Sequence, residues 1–163
     1  MELEVFNRLA PAGADALLRP CLDIDRWVSG LIERRPYASL EEVTAAARTV
    51  ADPFTSDEID AALAHHPRIG ERAGGASAEA ELSRSEQSGL SLDGEIERRL
   101  LEGNRAYEER FGRVFLIRAA GRSAEEILAA LTERMAHDDD TERLVVADQL
   151  RQIAVLRLQG ALS

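Results

Sequence analysis

Apolar residues recur along this chain at intervals of three and four, and proline, glycine and capping residues cut that pattern into short segments. The first stretch predicts a helix over Glu2 to Leu9, stopped by Pro11, and a second from Gly13 to Leu18, ending near Pro20. Ile24, Trp27, Val28, Leu31 and Ile32 fall at helical spacing behind Asp23 or Asp25 as cap, and Pro36 ends that helix. Ser39 opens the next, with Glu41 and Glu42 in the first turn where the helix dipole favours them, running to Val50. Thr55 and Glu58 have capping-box spacing, and the helix they start carries Ile59, Ala62 and Leu63 inward. It must stop at His65 or His66, because Pro67 disfavours helical backbone in the residue before it.

Beyond a Gly-rich loop at Gly70 to Ala76, the pattern predicts helices over Ser77 to Ser88 and over Asp93 to Arg110. The second of these is amphipathic through Ile96, Leu100, Leu101, Asn104 and Tyr107. Phe111-Gly112 breaks it. Val114 to Ile117 is the one strand-like run, and with no second run to pair with it reads as buried extended chain. Ser123 and Glu126 cap a helix to about Ala136, and Asp138 to Asp140 cap a long last helix to about Leu158. No repeat, low-complexity tract or linker interrupts the series. The expectation is an all-α, single-domain helical bundle of eight or nine helices over residues 1–163.

Composition agrees. Ala, Leu, Glu and Arg dominate, all strong helix formers, while aromatics make up 4%. The net charge of −10 argues against nucleic acid and anionic membrane as partners, both of which need a basic face. Cys21 stands alone, so an intrachain disulfide and a CxxC metal site are excluded. Neither a signal peptide nor an apolar run of membrane-spanning length is present, and a cytoplasmic location is expected.

Three places carry candidate chemistry. His66, locked by Pro67, offers the acid/base group suited to neutral pH; it could equally be a helix-ending histidine that caps carbonyls. Ser83, Glu86 and Gln87 share one helical face and set a hydroxyl, a carboxylate and an amide side by side; Ser83 with Glu86 also fits a capping box. Arg157 follows Val146, Leu150 and Ile153 on the stripe that should face the core, either snorkelling to the helix end or buried against an anion or polar ligand. A metal site of His65, His66 and His137 with Asp138 to Asp140 is disfavoured, since adjacent histidines seldom converge on one ion. Residues 70–75 lack the Walker pattern, Ser83 and Ser85 lack a nucleophile elbow, and Cys21 sits among apolar residues as core.

Taken in order, Phe6-Asn7, Trp27, Arg35-Pro36-Tyr37, His66-Pro67 with Gly70, Ser83-x-x-Glu86-Gln87, Asn104-x-x-Tyr107, Phe111-Gly112-x-x-Phe115 and Leu156-Arg157-Leu158 resemble one family. It is that of the decarboxylases of 2-oxo-4-hydroxy-4-carboxy-5-ureidoimidazoline (OHCU), which complete the route from urate to allantoin. His-Pro-Arg-Ile-Gly-Glu resembles a bacterial branch of it.

The resemblance implies an all-α fold, a ureidoimidazoline substrate, no cofactor or metal, and a homodimer. It implies catalytic roles for His66 and Glu86. It implies substrate contacts at Pro67, Ser83, Gln87, Arg157 and the segment Phe115, Leu116, Ile117, Arg118 and Ala119. Two positions depart from the family pattern: Arg68-Ile69 replaces a frequent Asp-Leu, and Arg118 lies inside a segment that an arginine often follows. A non-catalytic helical interaction module, or a lyase or hydrolase acting on a related ureido compound, are the competing expectations.

Overall fold

The computed structural model describes residues 1–69, 78–88, 90 and 93–163, and among them it forms nine α-helices and no strand. These are α1 (Leu3–Arg8), α2 (Pro11–Leu18), α3 (Asp25–Glu33), α4 (Leu40–Thr49), α5 (Ser56–Leu63), α6 (Ala78–Gln87), α7 (Gly94–Phe111), α8 (Ala124–Arg134) and α9 (Asp139–Leu162). The all-α expectation holds.

Most helix starts are built by the expected side chains. Ser39 accepts from the Glu42 N–H, Asp93 from that of Ile96 and Asp138 from that of Thr141. Thr55 with Glu58, and Ser123 with Glu126, each satisfy two backbone donors reciprocally. Gly112 ends α7 in the left-handed region (φ 70°), which costs glycine nothing.

Two expectations need correction. Pro11 does not simply stop a helix: it opens α2 at the first position, where its missing N–H would have no partner anyway. Neither Asp23 nor Asp25 caps α3, whose N-cap is Ile24 without a side-chain bond. Both carboxylates turn instead to Arg19, at 2.8 and 2.7 Å from its Nη1, and Asp15 joins them.

The packing divides the chain into two compact units, Met1–Ala62 with Leu150–Ser163, and Leu63–Gln149. In the first, Phe6, Leu18, Trp27, Leu31 and Val43 are fully buried, each worth about 1.5–3 kcal/mol over exposure. Its motif residues prove to be braces. Trp27 Nε1 donates to the Ala47 carbonyl at 3.0 Å. The Asn7 amide pairs with Tyr37 as a backbone strand would, donating to its C=O and accepting from its N–H. Arg35 donates to the carbonyls of Phe6 and Leu9, the last turn of α1. Gly30 lets α3 approach Val50, since a Cβ there would lie 2.4 Å from a valine methyl. Cys21 is buried, as expected of a core residue.

In the second unit Ile69, Leu100, Tyr107, Phe111, Phe115, Ile117, Ala119, Ile127, Leu128 and Leu131 form an apolar cluster. The segment 114–117 belongs to neither helix nor strand, and Phe115, Leu116 and Ile117 are buried as expected. Beneath it lies a polar knot. Glu142, wholly buried, accepts from Tyr107 Oη at 2.6 Å and Arg134 Nε at 2.7 Å, and His137 Nδ1 lies 3.0 Å from its other oxygen. Arg134 also covers the rings of Phe115 and Tyr107.

Candidate active site

His66 is set by the end of α5. Its N–H donates to the Leu63 carbonyl at 3.0 Å, turning the chain just before Pro67. The imidazole is withdrawn from solvent, with 7% of its side-chain surface exposed, and Nε2 lies 3.9 Å from Glu79 Oε1 on α6. That is beyond hydrogen-bond length and within reach of an ion pair when the ring is protonated. Pro67 is half-buried. The residues that follow are tied to α7: Arg68 Nε donates to Glu108 at 2.6 Å, and Asn104 Nδ2 to the Ile69 carbonyl at 2.9 Å. The Gly-rich loop expected over residues 70–76, and Ser77 as the start of the next helix, lie outside the described residues.

α6 begins at Ala78, so Ser83 sits in its middle and caps nothing. The capping-box reading of Ser83 and Glu86 is thereby removed. Glu79 and Ser83 are one turn apart, and Glu86 and Gln87 one further turn on, so all four share a face. Ser83 is buried; Glu86 and Gln87 are half-buried. The helix face that meets His66 through Glu79 thus carries a hydroxyl, a carboxylate and an amide withdrawn from bulk water.

The segment Phe115–Ala119 joins the same core cluster as Ile69, which brings it and the His66 turn onto one packing unit. Its backbone is pinned from two sides. Arg134 Nη1 donates to the Leu116 carbonyl at 2.7 Å, and the Arg118 N–H donates to Gln149 Oε1 at 2.9 Å. Arg157 belongs to the other unit. It is 4% exposed and its Nη1 donates to the Pro20 carbonyl at 2.8 Å, so burial holds and snorkelling does not.

Four supporting residues were not singled out from the sequence as site residues: Asn104, Arg134, Glu142 and Gln149. The periodicity that flagged Arg157 also marks two of them. Arg134 follows Ile127 and Leu131 at intervals of four and three, and Glu142 precedes Val146 by four. Burial and the carboxylate of Glu142 push the Tyr107 phenol well above its ordinary value, so it remains a donor.

This arrangement offers proton transfer from an imidazole together with carboxylate, amide, hydroxyl and backbone groups to orient a polar ligand. Among the described residues no group of three or more His, Cys, Asp or Glu side chains is placed to hold a metal ion. No helix among them is long and apolar enough to cross a membrane.

The described residues define an all-helical protein in which a withdrawn histidine faces a carboxylate of the neighbouring helix. The family model described as OHCU decarboxylase matches residues 7–159, and the chain belongs to that family. It is 32% identical over 130 residues to the 2-oxo-4-hydroxy-4-carboxy-5-ureidoimidazoline decarboxylase of Haloferax volcanii, covering 76% of this chain and 73% of that protein. It is 33% identical over 131 residues to the decarboxylase of the same name from Amia calva, covering 77% and 73%. Among solved structures, an OHCU decarboxylase crystallised in the presence of (S)-allantoin superposes with a TM-score of 0.68. Its sequence identity is 22%, and the match covers 88% of this chain and 94% of that one.

Proposed function

We propose that this protein decarboxylates 2-oxo-4-hydroxy-4-carboxy-5-ureidoimidazoline to (S)-allantoin in urate breakdown, without a cofactor. The observation that carries this reading is the family match over residues 7–159, supported by the withdrawn imidazole of His66 beside the polar face of α6.

The substrate's own chemistry explains why positioning suffices. Its carboxylate sits on a carbon that bears a hydroxyl and adjoins a ring C=N bond. When the C–COO⁻ bond breaks, its electron pair forms a C=C bond to the former imine carbon, whose nitrogen takes a proton as carbon dioxide leaves; the hydroxyl then gives up its proton to become the ring carbonyl and the ureido-bearing carbon takes one. The substrate is its own electron sink, and the protein has to orient the bond and govern the proton.

His66 bonds the substrate's hydroxyl or its departing carboxylate region and relays the proton. Glu86 accepts from ring or ureido N–H groups. Ser83 and Gln87 bind the ureido and ring carbonyls, with Pro67 and Phe115–Ala119 lining the ligand. The resemblance alone assigns Arg157 a carbonyl-binding role. Delivery of the proton to one face yields one enantiomer, where the uncatalysed reaction gives a racemate. The family resemblance supports a homodimer acting on a small molecule, and the net charge of −10 and the absence of a long apolar run support a cytoplasmic protein that binds neither nucleic acid nor membrane.

The test uses substrate generated in situ by enzymatic oxidation and hydrolysis of urate. Wild type should speed its decay and give optically active allantoin. Unchanged decay and a racemic product would sink the assignment, in favour of an interaction module or of activity on a different ureido compound. His66→Ala should abolish the effect, and a variant with wild-type rate would remove the imidazole from the mechanism.

A further inference from the structure

The motif residues Tyr107, Phe111 and Phe115 share one apolar cluster and converge on the buried knot under Phe115–Ala119. That knot touches backbone at a telling place. Arg134, itself 4% exposed, grips the Leu116 carbonyl, and Gln149, 8% exposed, grips the Arg118 N–H. The two clamped peptides are those on either side of Ile117.

A peptide is planar, and in the trans form its C=O and N–H point in opposite directions. The cis bonds of the described chain are Arg35-Pro36 and Asp52-Pro53, so both peptides flanking Ile117 are trans. Holding the Leu116 carbonyl toward Arg134 therefore turns the Ile117 N–H away from Arg134. Holding the Arg118 N–H toward Gln149 turns the Ile117 carbonyl away from Gln149. The clamps fix one donor and one acceptor on a single residue, the pattern that complements an N–H and C=O pair in an amide or ureido group.

We propose that Arg134 and Gln149 are positioning residues for substrate binding, setting the Ile117 N–H and C=O for the ureido end of the substrate. This rests on the reading that Phe115–Ala119 meets the substrate. Arg134 can be held so firmly because Glu142 neutralises it and Tyr107 and His137 complete the carboxylate's partners. Gln149 needs no such charge and is the cleaner site to perturb.

The experiment compares KM, kcat and product enantiomeric excess for wild type, Gln149→Leu, Gln149→Glu and Arg134→Lys, each also melted thermally. Gln149→Leu should raise KM about tenfold with kcat within about threefold, because it loosens a binding edge and leaves the imidazole in place. Gln149→Glu, which still accepts the Arg118 N–H, should return KM to within about threefold of wild type. Arg134→Lys keeps the charge but cannot serve Glu142 and the Leu116 carbonyl with one planar fork, so its KM should rise too. A folded Gln149→Leu variant with lowered Tm and unchanged KM would show a merely structural role and overturn the inference. If that variant does not fold, an unchanged KM in Arg134→Lys does the same. A wild type inactive on the ureidoimidazoline overturns the underlying reading and this inference with it; an active wild type beside unmoved variants overturns the inference alone.

Discussion

Removing the buried carboxylate tests the energetics of the second unit most directly. In Glu142→Leu, the 2.6 Å bond from Tyr107, the 2.7 Å bond from Arg134 and the neighbouring His137 all lose their acceptor. Bonds to a charged group are worth about 1.5–3 kcal/mol each, but three that share one carboxylate do not add. The dominant cost is the guanidinium left behind at 4% exposure, and breaking such a buried pair costs about 3–5 kcal/mol. Arg134 keeps the Leu116 carbonyl and the faces of Phe115 and Tyr107, which soften its isolation without supplying a counter-charge. For a chain of this size each kcal/mol moves Tm by about 2–4 °C, so a loss of about 6–20 °C is expected. Urea titrations give the free energy at fixed temperature. The double variant Arg134→Met with Glu142→Leu should recover most of the loss, because well-packed apolar residues can replace a buried ion pair at little cost. A Glu142→Leu variant within about 1 kcal/mol of wild type, or a double variant no better than the single, would refute the reasoning.

Glu58 should make stability depend on acid pH. Arg26, bonded at 2.7 Å, holds its carboxyl down to about 2 from an ordinary 4.5. The folded value is the lower one, so the stabilisation is present above pH 4.5 and is lost as the pH falls toward 2. With Arg26 half-exposed, solvent screening leaves about 1 kcal/mol, measurable as a flatter pH profile of the urea midpoint in Glu58→Gln, and an unchanged profile would count against it. Gly30→Ala should destabilise by about 1–3 kcal/mol, because its Cβ meets a stiff, β-branched Val50, and the added Val50→Ala should relieve the clash in thermal melts. Gly103→Ala should cost less, since the atom 2.2 Å from its Cβ is the end of the more flexible Leu131 side chain. Asn104→Ala should lower kcat by about tenfold, since it releases the Ile69 carbonyl three residues from His66, and an unchanged kcat would separate that bond from the imidazole's placement.

The helices were legible because capping and periodicity are local. Ser39, Thr55, Asp93, Ser123 and Asp138 each act within a turn of themselves, and each opens the helix expected of it. The failures came where a distant or competing group won. Asp23 and Asp25 could cap α3, but Arg19 offers a full charge to both. Pro11 carries two opposite signals, since the missing N–H that ends one helix also suits the first position of the next. At the site, the residue types that bear chemistry stood out, yet the ambiguity of Ser83 yielded only when the start of α6 was known. The supporting groups stayed hidden because an acid and an arginine on a helix usually face water. Arg134 and Glu142 do not, and their periodicity was the available sign.

The mutual dependence of Arg134 and Glu142 has a bearing on how this sequence can drift. Each charge makes the other tolerable, so loss of either alone is penalised more heavily than the pair's joint loss, which strands only the Leu116 carbonyl and the Tyr107 hydroxyl rather than a charge. No single step leads from the charged pair to an apolar one without passing through a poorly folded protein. A change at either position is therefore tolerated best when the other changes with it, and the cost of changing the acid alone is set by one guanidinium stranded in a dry core.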